Sequence, residues 1–249
     1  MADHRRFLIS PGQISGEEAV LDGPTARQIA KVLRLKAGDA ITLLDGCGNA
    51  YQAAIRTVSL ERVVADISAS RLDINEPRLR LVLASCLPKS DRIEFIIQKC
   101  TELGISEMVL VESERTVTRI DRDSQPKKLE RWRRIACEAS EQCGRSRVPC
   151  LTGVIDYAEL MAMIPQFALA IVAWEEEDGL SLREALKDKH GAESVLLIIG
   201  SEGGLTEKEV EAAKSAGAIS VSLGGRLLRT DTAAIATCAA VMYEIEGEL

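Results

Sequence analysis

Residues 194–206, SVLLIIGSEGGLT, decide the predicted fold, because a continuous apolar run stops at a glycine-rich turn and a helical pattern follows. Residues 221–233, VSLGGRLLRTDTA, repeat this arrangement closer to the C-terminus. A turn that joins a strand to a helix places backbone N–H groups at the carboxyl end of the strand. The two segments therefore predict a pocket that suits a nucleotide or an adenosyl group.

The first turn lacks the features of phosphate-binding loops. Residues 200–204, GSEGG, have neither the lysine of a P-loop nor the G-x-G-x-x-G spacing of a dinucleotide turn. Glu202 between the glycines favours a polar or cationic ligand over a polyphosphate. Arg229 in the second segment precedes a predicted helix start, where the helix dipole disfavours a cation, so we expect it to serve chemistry. For the glycines, simple turn formation remains the alternative, as core packing does for Leu227 and Leu228.

Apolar strands alternate with helical patterns from residue 79 onward. Such alternation indicates a parallel sheet covered by helices on both faces. Thr206 and Glu209 have the spacing of a capping box, and Thr230 or Asp231 is expected to cap the last helix. That helix is rich in alanine, which suits either a core helix or a subunit interface. The predicted strands are 79–86, 105–111, 167–174, 194–200 and 218–224, and the predicted helices are 90–103, 126–142, 181–187, 206–216 and 232–245.

The first part of the chain has a different pattern, of short strands and turns over residues 7–66. A helix is expected from 24 to 33, and residues 45–48, DGCG, separate two strand-like runs as a hairpin connection would. Residues 73–78, DINEPR, are polar and contain Pro77, which interrupts both helix and strand, so they indicate a linker. We therefore predict a small β-rich domain over 1–73 and an α/β domain over 74–249.

Charge is distributed unevenly along the chain. The net charge is −7 overall, and it is 0 over residues 1–73, +3 over 74–150 and −10 over 151–249. RNA contact is therefore expected within the first 150 residues, although solvated surface charge is an alternative for each basic side chain there. The acidic run 175–178, EEED, is expected to be solvated surface.

Cysteine usage and hydropathy limit the class of protein. The seven cysteines form no C-x-x-C pair, so reduced thiols are expected rather than a zinc site. The longest apolar run is far shorter than a membrane helix, and the N-terminus has no signal-peptide core. We expect a cytoplasmic protein without a metal.

The two glycine-bearing segments resemble the IGPEGG and LG-x-x-ILR-T-E-T-A motifs of the bacterial 16S rRNA N3-methyluridine methyltransferase family, ribosomal RNA small-subunit methyltransferase E, in the SPOUT superfamily. Residues 5–7, 32–34, 99–104 and 138–142 also resemble this family, in its order, so the resemblance covers nearly the whole chain. Ser201 replaces the usual proline, Leu205 the usual aromatic residue and Asp231 the usual glutamate.

The resemblance implies a fold, a reaction and partners. The fold is a SPOUT-type α/β domain with a parallel sheet and a trefoil knot, preceded by a PUA-like RNA-binding domain. The reaction is methylation of uridine N3 in the decoding region of 16S rRNA in the small ribosomal subunit, with S-adenosylmethionine as cofactor, by an obligate homodimer. The alternatives are a SPOUT methyltransferase that acts on tRNA or a ribose 2′-hydroxyl, and a non-catalytic rRNA-binding assembly factor.

The site residues are assigned on the same basis. Arg229 is expected to stabilise a uracil anion, with Asp231 or Glu202 as the proton acceptor. Cofactor contacts are expected from Trp174, Ile199, Gly200, Glu202, Gly203, Gly204, Leu223, Gly224, Leu227, Leu228 and Thr230. Arg145 and Arg147 follow the basic helix in a turn, where ion pairing is not expected. RNA contacts are expected from Arg5, Arg6, Arg34, Lys89, Arg145 and Arg147.

Overall fold

The computed structural model describes residues 5–72, 75–121 and 123–247, and these residues form two compact units. Of these residues, 5–72, 75–76 and 137–148 belong to one unit, and 77–121, 123–136 and 149–247 belong to the other. Asp73 and Ile74 of the predicted linker lie outside the described residues. Residues 137–148 thus pack in the first unit, whereas the predicted division counts them with the second domain. The boundary at residue 73 stays a prediction.

The first unit is built on a mainly antiparallel sheet. Its strand order is β1-β4-β5-β6-β3-β2, and β1 pairs in parallel with β4. The predicted hairpin is confirmed, since β4 and β5 pair antiparallel on either side of residues 45–48. The Asp45 carboxylate accepts the Cys47 and Asn49 N–H groups at 2.8 and 2.9 Å and so stabilises the connection. The strands are β1 (Arg6–Leu8), β2 (Ile14–Ser15), β3 (Glu18–Asp22), β4 (Ala40–Leu44), β5 (Asn49–Val58) and β6 (Arg62–Leu72).

The helix predicted from 24 to 33 has two parts. An α-helical turn, α1 (Gly23–Arg27), continues into a π-helical turn over Gln28–Val32. The Leu33 N–H donates to the Gln28 carbonyl at 2.9 Å, which is the wider i to i+5 pattern. Ala26 in the α-helical turn and Ile29 in the π-helical turn are both fully buried. Apolar spacing therefore predicts the helical segment but not its wider final turn.

The second unit is an α/β sandwich around a parallel sheet. The strand order is β12-β10-β11-β7-β8-β9, and each neighbouring pair is parallel, as predicted. The strands are β7 (Arg80–Cys86), β8 (Glu107–Glu112), β9 (Cys150–Asp156), β10 (Leu169–Ala173), β11 (Ser194–Ile199) and β12 (Ile219–Val221). The helices that follow α1 are α2 (Ser90–Glu102), α3 (Gln125–Cys143), α4 (Tyr157–Met163), α5 (Leu182–Leu186), α6 (Glu207–Ser215) and α7 (Thr230–Glu246).

The burial of each strand explains why the sequence pattern predicts some strands and misses others. Residues 195–199 of β11 are at most 2% exposed, since the strand lies inside the sheet with helices on both faces. By contrast, β9 is an edge strand of which only Leu151 is buried, and Thr152 and Gly153 break its apolar pattern. The prediction missed β9 for this reason, and it also missed the short helix α4 that follows.

The last helix packs into the core of the second unit. Its buried side includes Ala233, Ala234, Cys238, Val241 and Met242, and α7 lies against α2 and β11. Core packing therefore accounts for the small residues on this side. In the part of the chain that the structure describes, every helix is too short or too polar to span a bilayer.

The pKa of Glu141 in α3 makes the stability of the fold depend on pH. Burial, and secondarily the neighbouring Glu138 carboxylate, raises this pKa from 4.5 to about 7. The folded state thus binds this proton more tightly than the unfolded state, so the contribution to stability is present below about pH 4.5 and is lost as pH rises towards 7. We expect Glu141→Gln to raise the Tm at about pH 8 and to leave it unchanged at about pH 4.

The control for this prediction is Glu130→Gln, an exposed acid on the same helix. Differential scanning calorimetry at both pH values should show no pH-dependent difference between this variant and the wild type. A Glu141→Gln variant with the same Tm as the wild type at the higher pH would contradict the account.

Candidate functional site

A cavity of about 700 Å³ lies in the second unit, between the two glycine turns. The first turn follows β11, the second follows β12, and β10 lies between these strands in the sheet. The carboxyl ends of parallel strands meet at one edge of a sheet, so the turns face the same space. This is the location at which α/β sheets bind ligands.

Most of the residues predicted to bind the cofactor line this cavity. They are Trp174, Ile199, Gly200, Glu202, Gly204, Leu223, Gly224, Leu227, Leu228 and Thr230. Gly203 is an exposed turn residue that lies against Arg115, and a Cβ at this position would approach both the Arg115 Cβ and its carbonyl oxygen to 3.0 Å. Its glycine is therefore explained by packing against the 113–117 loop.

The first turn is tightly closed. The Gly204 N–H donates to the Ser201 carbonyl at 2.9 Å, and Gly204 adopts φ +71°, a conformation that favours glycine. A Cβ at Gly200 would be 3.2 Å from the Gly204 carbonyl carbon, whereas one at Gly204 would overlap the Glu175 carboxylate. The backbone can approach a ligand closely here because both side chains are absent.

Helix α6 begins directly after this turn. The predicted capping box is confirmed, since the Thr206 side chain accepts the Glu209 N–H at 3.3 Å and Glu209 accepts the Thr206 N–H at 2.9 Å. Glu209 is 7% exposed and also accepts the Glu114 N–H at 2.8 Å. These bonds account for Thr206 and Glu209 and leave Glu202 for another role.

The second turn leads into α7 through Arg229. The expected cap is wrong: Arg229 is the N-cap residue and its side chain makes no capping hydrogen bond, whereas Thr230 and Asp231 lie inside the helix. The Asp231 carboxylate instead accepts the Thr232 N–H at 2.9 Å. Arg229 lines the cavity and is exposed, and its guanidinium forms no ion pair within the described part of the chain.

Arg92 pairs with both carboxylates that were predicted as proton acceptors, Glu202 and Asp231. Its Nε lies 3.5 Å from Oε1 of Glu202, and its Nη1 lies 3.4 Å from Oδ1 of Asp231. The backbone N–H of Lys89, whose side chain is exposed, donates to the same Glu202 oxygen at 3.1 Å. Arg92 and Glu202 line the cavity, and Asp231 contacts Arg92 from the first turn of α7. The sequence places Arg92 in the first turn of a predicted helix but contains no signal for its partners, which are distant in the chain.

The acidic run after β10 is exposed to solvent at the rim of the cavity. Glu175, Glu176 and Asp178 are exposed, as expected, and Glu177 is half-buried. Glu175, Glu177 and Asp178 also line the cavity, which the sequence did not predict. Arg226 lines it as well. The cavity wall therefore carries charges of both signs, as suits a zwitterionic or polar ligand.

The chemistry of the buried thiol below the first turn is limited. Cys86 at the end of β7 is fully buried, and burial raises its pKa to about 12. The thiol thus remains protonated at neutral pH and is a poor nucleophile. Within residues 5–72, 75–121 and 123–247, no group of three or more His, Cys, Asp or Glu side chains could hold a metal ion.

Three of the arginines predicted to contact RNA lie in the N-terminal part of the first unit. Arg5 is exposed and pairs with Asp39 at 3.5 Å. Such a surface ion pair contributes little free energy, so Arg5 can leave Asp39 and bind an RNA phosphate instead. Arg6 is half-buried with its guanidinium beside Gly144, and Arg34 is exposed with φ +54°.

The predicted lack of pairing at Arg145 is wrong. The Arg145 side chain is 5% exposed and its Nη2 lies 2.9 Å from Oε2 of Glu76, which is equally buried. The Arg147 N–H donates to the other Glu76 oxygen at 2.8 Å, and its side chain is exposed. Burial makes Arg145 a structural residue, and we retain Arg147 as the RNA candidate in this segment.

Comparison with protein families matches both parts of the chain. Residues 75–242 match the RNA methyltransferase domain model, and residues 21–68 match the RNA methyltransferase PUA domain model. The chain is 33% identical to ribosomal RNA small subunit methyltransferase E of Bacillus subtilis, covering 97% of each protein. It is 32% identical to the Synechocystis protein of the same name, covering 97% of this chain and 78% of that one.

Two solved structures agree with this result. Ribosomal RNA small subunit methyltransferase E of Neisseria gonorrhoeae, solved with bound S-adenosyl methionine, is 31% identical, has a TM-score of 0.83 and covers 96% of each chain. A methyltransferase of Legionella pneumophila, solved with the cofactor SAM, is 27% identical, has a TM-score of 0.82 and also covers 96% of each chain. The chain belongs to the ribosomal RNA small subunit methyltransferase E family of RNA methyltransferases.

Proposed function

We propose that this protein transfers the methyl group of S-adenosylmethionine to N3 of a uridine in the decoding region of 16S rRNA. Membership of the rRNA methyltransferase family supports the reaction class. The observation that carries the proposal is the cavity at the strand ends, where two glycine turns meet beside Arg229, which has no ion pair among the described residues. The cavity, of about 700 Å³, has room for a ligand of cofactor size, and the Arg229 guanidinium offers a positive charge to an anionic base.

The residues present fit the cofactor. The Trp174 Nε1 and Ser201 Oγ atoms are buried without a hydrogen-bond partner in the described residues, and both residues line the cavity. Buried polar groups are almost always hydrogen-bonded in native proteins, so these two indicate a polar ligand. Leu223, Leu227 and Leu228 provide apolar surface for an adenine ring, and Gly204 permits close approach of the backbone.

The side chains at the cavity have separate tasks in the reaction. When bound, S-adenosylmethionine supplies a methyl group on a sulfonium, which is a good leaving group. Uridine N3 carries a proton and is a weak nucleophile until that proton is removed. The Arg229 guanidinium stabilises the negative charge that develops on the uracil carbonyl oxygens, and Asp231 or Glu202 accepts the proton.

The first unit holds the RNA in this proposal. Exposed guanidinium groups of Arg5, Arg34 and Arg147, together with Arg6, contact phosphates and orient the substrate. A base-paired N3 is inaccessible, so the target base is unpaired or flipped out when it reacts. We propose that the protein acts on the small subunit in the cytoplasm and that it does so as a homodimer. The boundary between its RNA-binding and methyltransferase domains is proposed at residue 73.

The tight first turn gives a prediction for cofactor binding. Gly204→Ala forces a side chain into φ +71° and against the Glu175 carboxylate, which must then move in the cavity wall. We expect the Kd for S-adenosylmethionine to rise about tenfold or more, which corresponds to about 1.4 kcal/mol or more. Isothermal titration calorimetry measures this change directly.

Two further variants separate the causes of this loss. Gly191→Ala is the control, since a Cβ there meets no atom within 4 Å and the residue lies outside the cavity wall. Glu175→Ala in the Gly204→Ala background removes the overlap and leaves the backbone strain. Unchanged affinity in Gly204→Ala would exclude the first turn as a cofactor contact.

A substrate panel tests the proposed function. The purified protein is incubated with methyl-labelled S-adenosylmethionine and, separately, unmodified small subunits, large subunits and tRNA. We expect label only in the small-subunit rRNA. Label in tRNA would favour a different RNA substrate, and the absence of any heat of binding at millimolar S-adenosylmethionine would favour a non-catalytic assembly factor.

A further inference from the structure

We propose that Arg92 is a positioning residue for methyl transfer, which holds Glu202 of the cavity wall and Asp231 of the first turn of α7 in a fixed relation. This inference rests on the proposed function, because it assigns the two carboxylates to the reaction. No motif singles out Arg92, and its role follows from its contacts alone.

The contacts of Arg92 connect three elements of the second unit. Arg92 lies in the first turn of α2, Glu202 lies in the glycine turn after β11, and Asp231 lies in the first turn of α7. Two different nitrogens, Nε and Nη1, reach the two carboxylates at 3.5 and 3.4 Å. A rigid planar guanidinium can hold two acceptors in a fixed relation, whereas the point charge of a lysine cannot.

Partial burial strengthens the electrostatic attraction in these ion pairs. The side chains of Arg92, Glu202 and Asp231 are 26%, 29% and 22% exposed, so the charges are screened less than at an open surface. Each carboxylate also accepts one backbone N–H, from Lys89 at 3.1 Å and from Thr232 at 2.9 Å. These bonds leave each carboxylate only small freedom to rotate while Arg92 is present.

Arg229, another arginine of the cavity, has the opposite character to Arg92. Arg229 is exposed, and within the described residues it forms no ion pair, so its charge is available to a substrate. Arg92 already has two carboxylate partners, so its charge is largely committed within the protein. We therefore assign substrate stabilisation to Arg229 and the placement of Glu202 and Asp231 to Arg92.

A double-mutant cycle tests this coupling. The variants Arg92→Met, Asp231→Asn and their combination are compared in kcat and KM with small subunits as substrate. Arg92→Met should lower kcat about tenfold with little change in KM for RNA, and it should have almost no further effect in the Asp231→Asn background. The kcat of Arg92→Lys should lie between those of the wild type and Arg92→Met, since lysine keeps the positive charge but lacks the planar guanidinium that reaches two carboxylates.

A control on the same helix excludes a general effect on α2. Lys99→Met removes an ion pair of similar exposure, with Glu102 at 2.8 Å, and should retain the kcat of the wild type. Multiplicative losses in the double variant would overturn the inference. An equal loss in Lys99→Met would overturn it too.

A second cycle does not depend on activity. Arg92→Met, Glu202→Gln and their combination are compared in the Kd for S-adenosylmethionine by calorimetry. Arg92→Met should weaken binding about fivefold alone and by less than about twofold in the Glu202→Gln background. If the wild type methylates no rRNA but this coupling is present, the proposed function fails, and only the part of the inference in which Arg92 positions Glu202 at the cofactor cavity stands. If the wild type methylates rRNA but neither cycle shows coupling, the proposed function stands and the role of Arg92 fails.

Discussion

Arg229→Ala lowers kcat for rRNA methylation about a hundred- to a thousandfold, which is the usual loss when a preorganised donor to a developing anion is removed. The guanidinium lines the cavity and has no ion-pair partner among the described residues, so its whole charge is available to the uracil. Single-turnover transfer from labelled S-adenosylmethionine to small subunits measures the effect. The Kd for the cofactor should change by less than about threefold, because the charge acts on the substrate.

The matched control is Arg183→Ala, which removes an exposed arginine from α5 of the same unit, outside the cavity wall. Its kcat should equal that of the wild type. Near-normal turnover and RNA affinity in Arg229→Ala would mean that another group stabilises the transition state, and the assignment would then be wrong.

Arg145→Met destabilises the protein by about 3–5 kcal/mol, the usual cost of removing one member of a buried ion pair. The remaining Glu76 carboxylate, 5% exposed, is then buried without its cation. It also loses the Arg145 Nε donor at 3.2 Å. Urea denaturation of the full chain, followed by circular dichroism, measures the change as a shift in the midpoint.

Arg147→Met provides the comparison, because this side chain is exposed and the Arg147 N–H still reaches Glu76 after the substitution. Its stability should change by less than about 1 kcal/mol. Glu76→Gln in the Arg145→Met background should recover part of the loss, since no unpaired charge remains. A stable Arg145→Met variant with weakened RNA binding would restore the original prediction of a phosphate contact.

The parallel sheet was predictable because its strands carry continuous apolar runs. In β11, residues 195–199 are all apolar and at most 2% exposed, and a glycine marks the end of the strand. The edge strand β9 has only Leu151 buried, so the hydrophobic effect leaves little trace in its sequence. The π-helical turn at Gln28–Val32 was missed because the apolar spacing does not specify the extra residue per turn.

The two glycine turns were predictable, whereas the ion pairs around them were not. Gly204 is required by a backbone conformation, which is a local property that the sequence records. The contacts of Arg92 with Glu202 and Asp231 depend on how three distant elements pack, and no spacing along the chain encodes this. The same holds for Arg145, because its partner Glu76 lies 69 positions earlier in the chain. The trefoil knot stays a prediction.

Identification of the methylated atom tests the central claim most directly. Small subunits treated with the protein and S-adenosylmethionine are digested to nucleosides, and the products are separated and fragmented by mass spectrometry. The account predicts 3-methyluridine, with the methyl group on the base and confined to one decoding-region fragment of 16S rRNA. A methyl group on the ribose, or on any base position other than uridine N3, would contradict it.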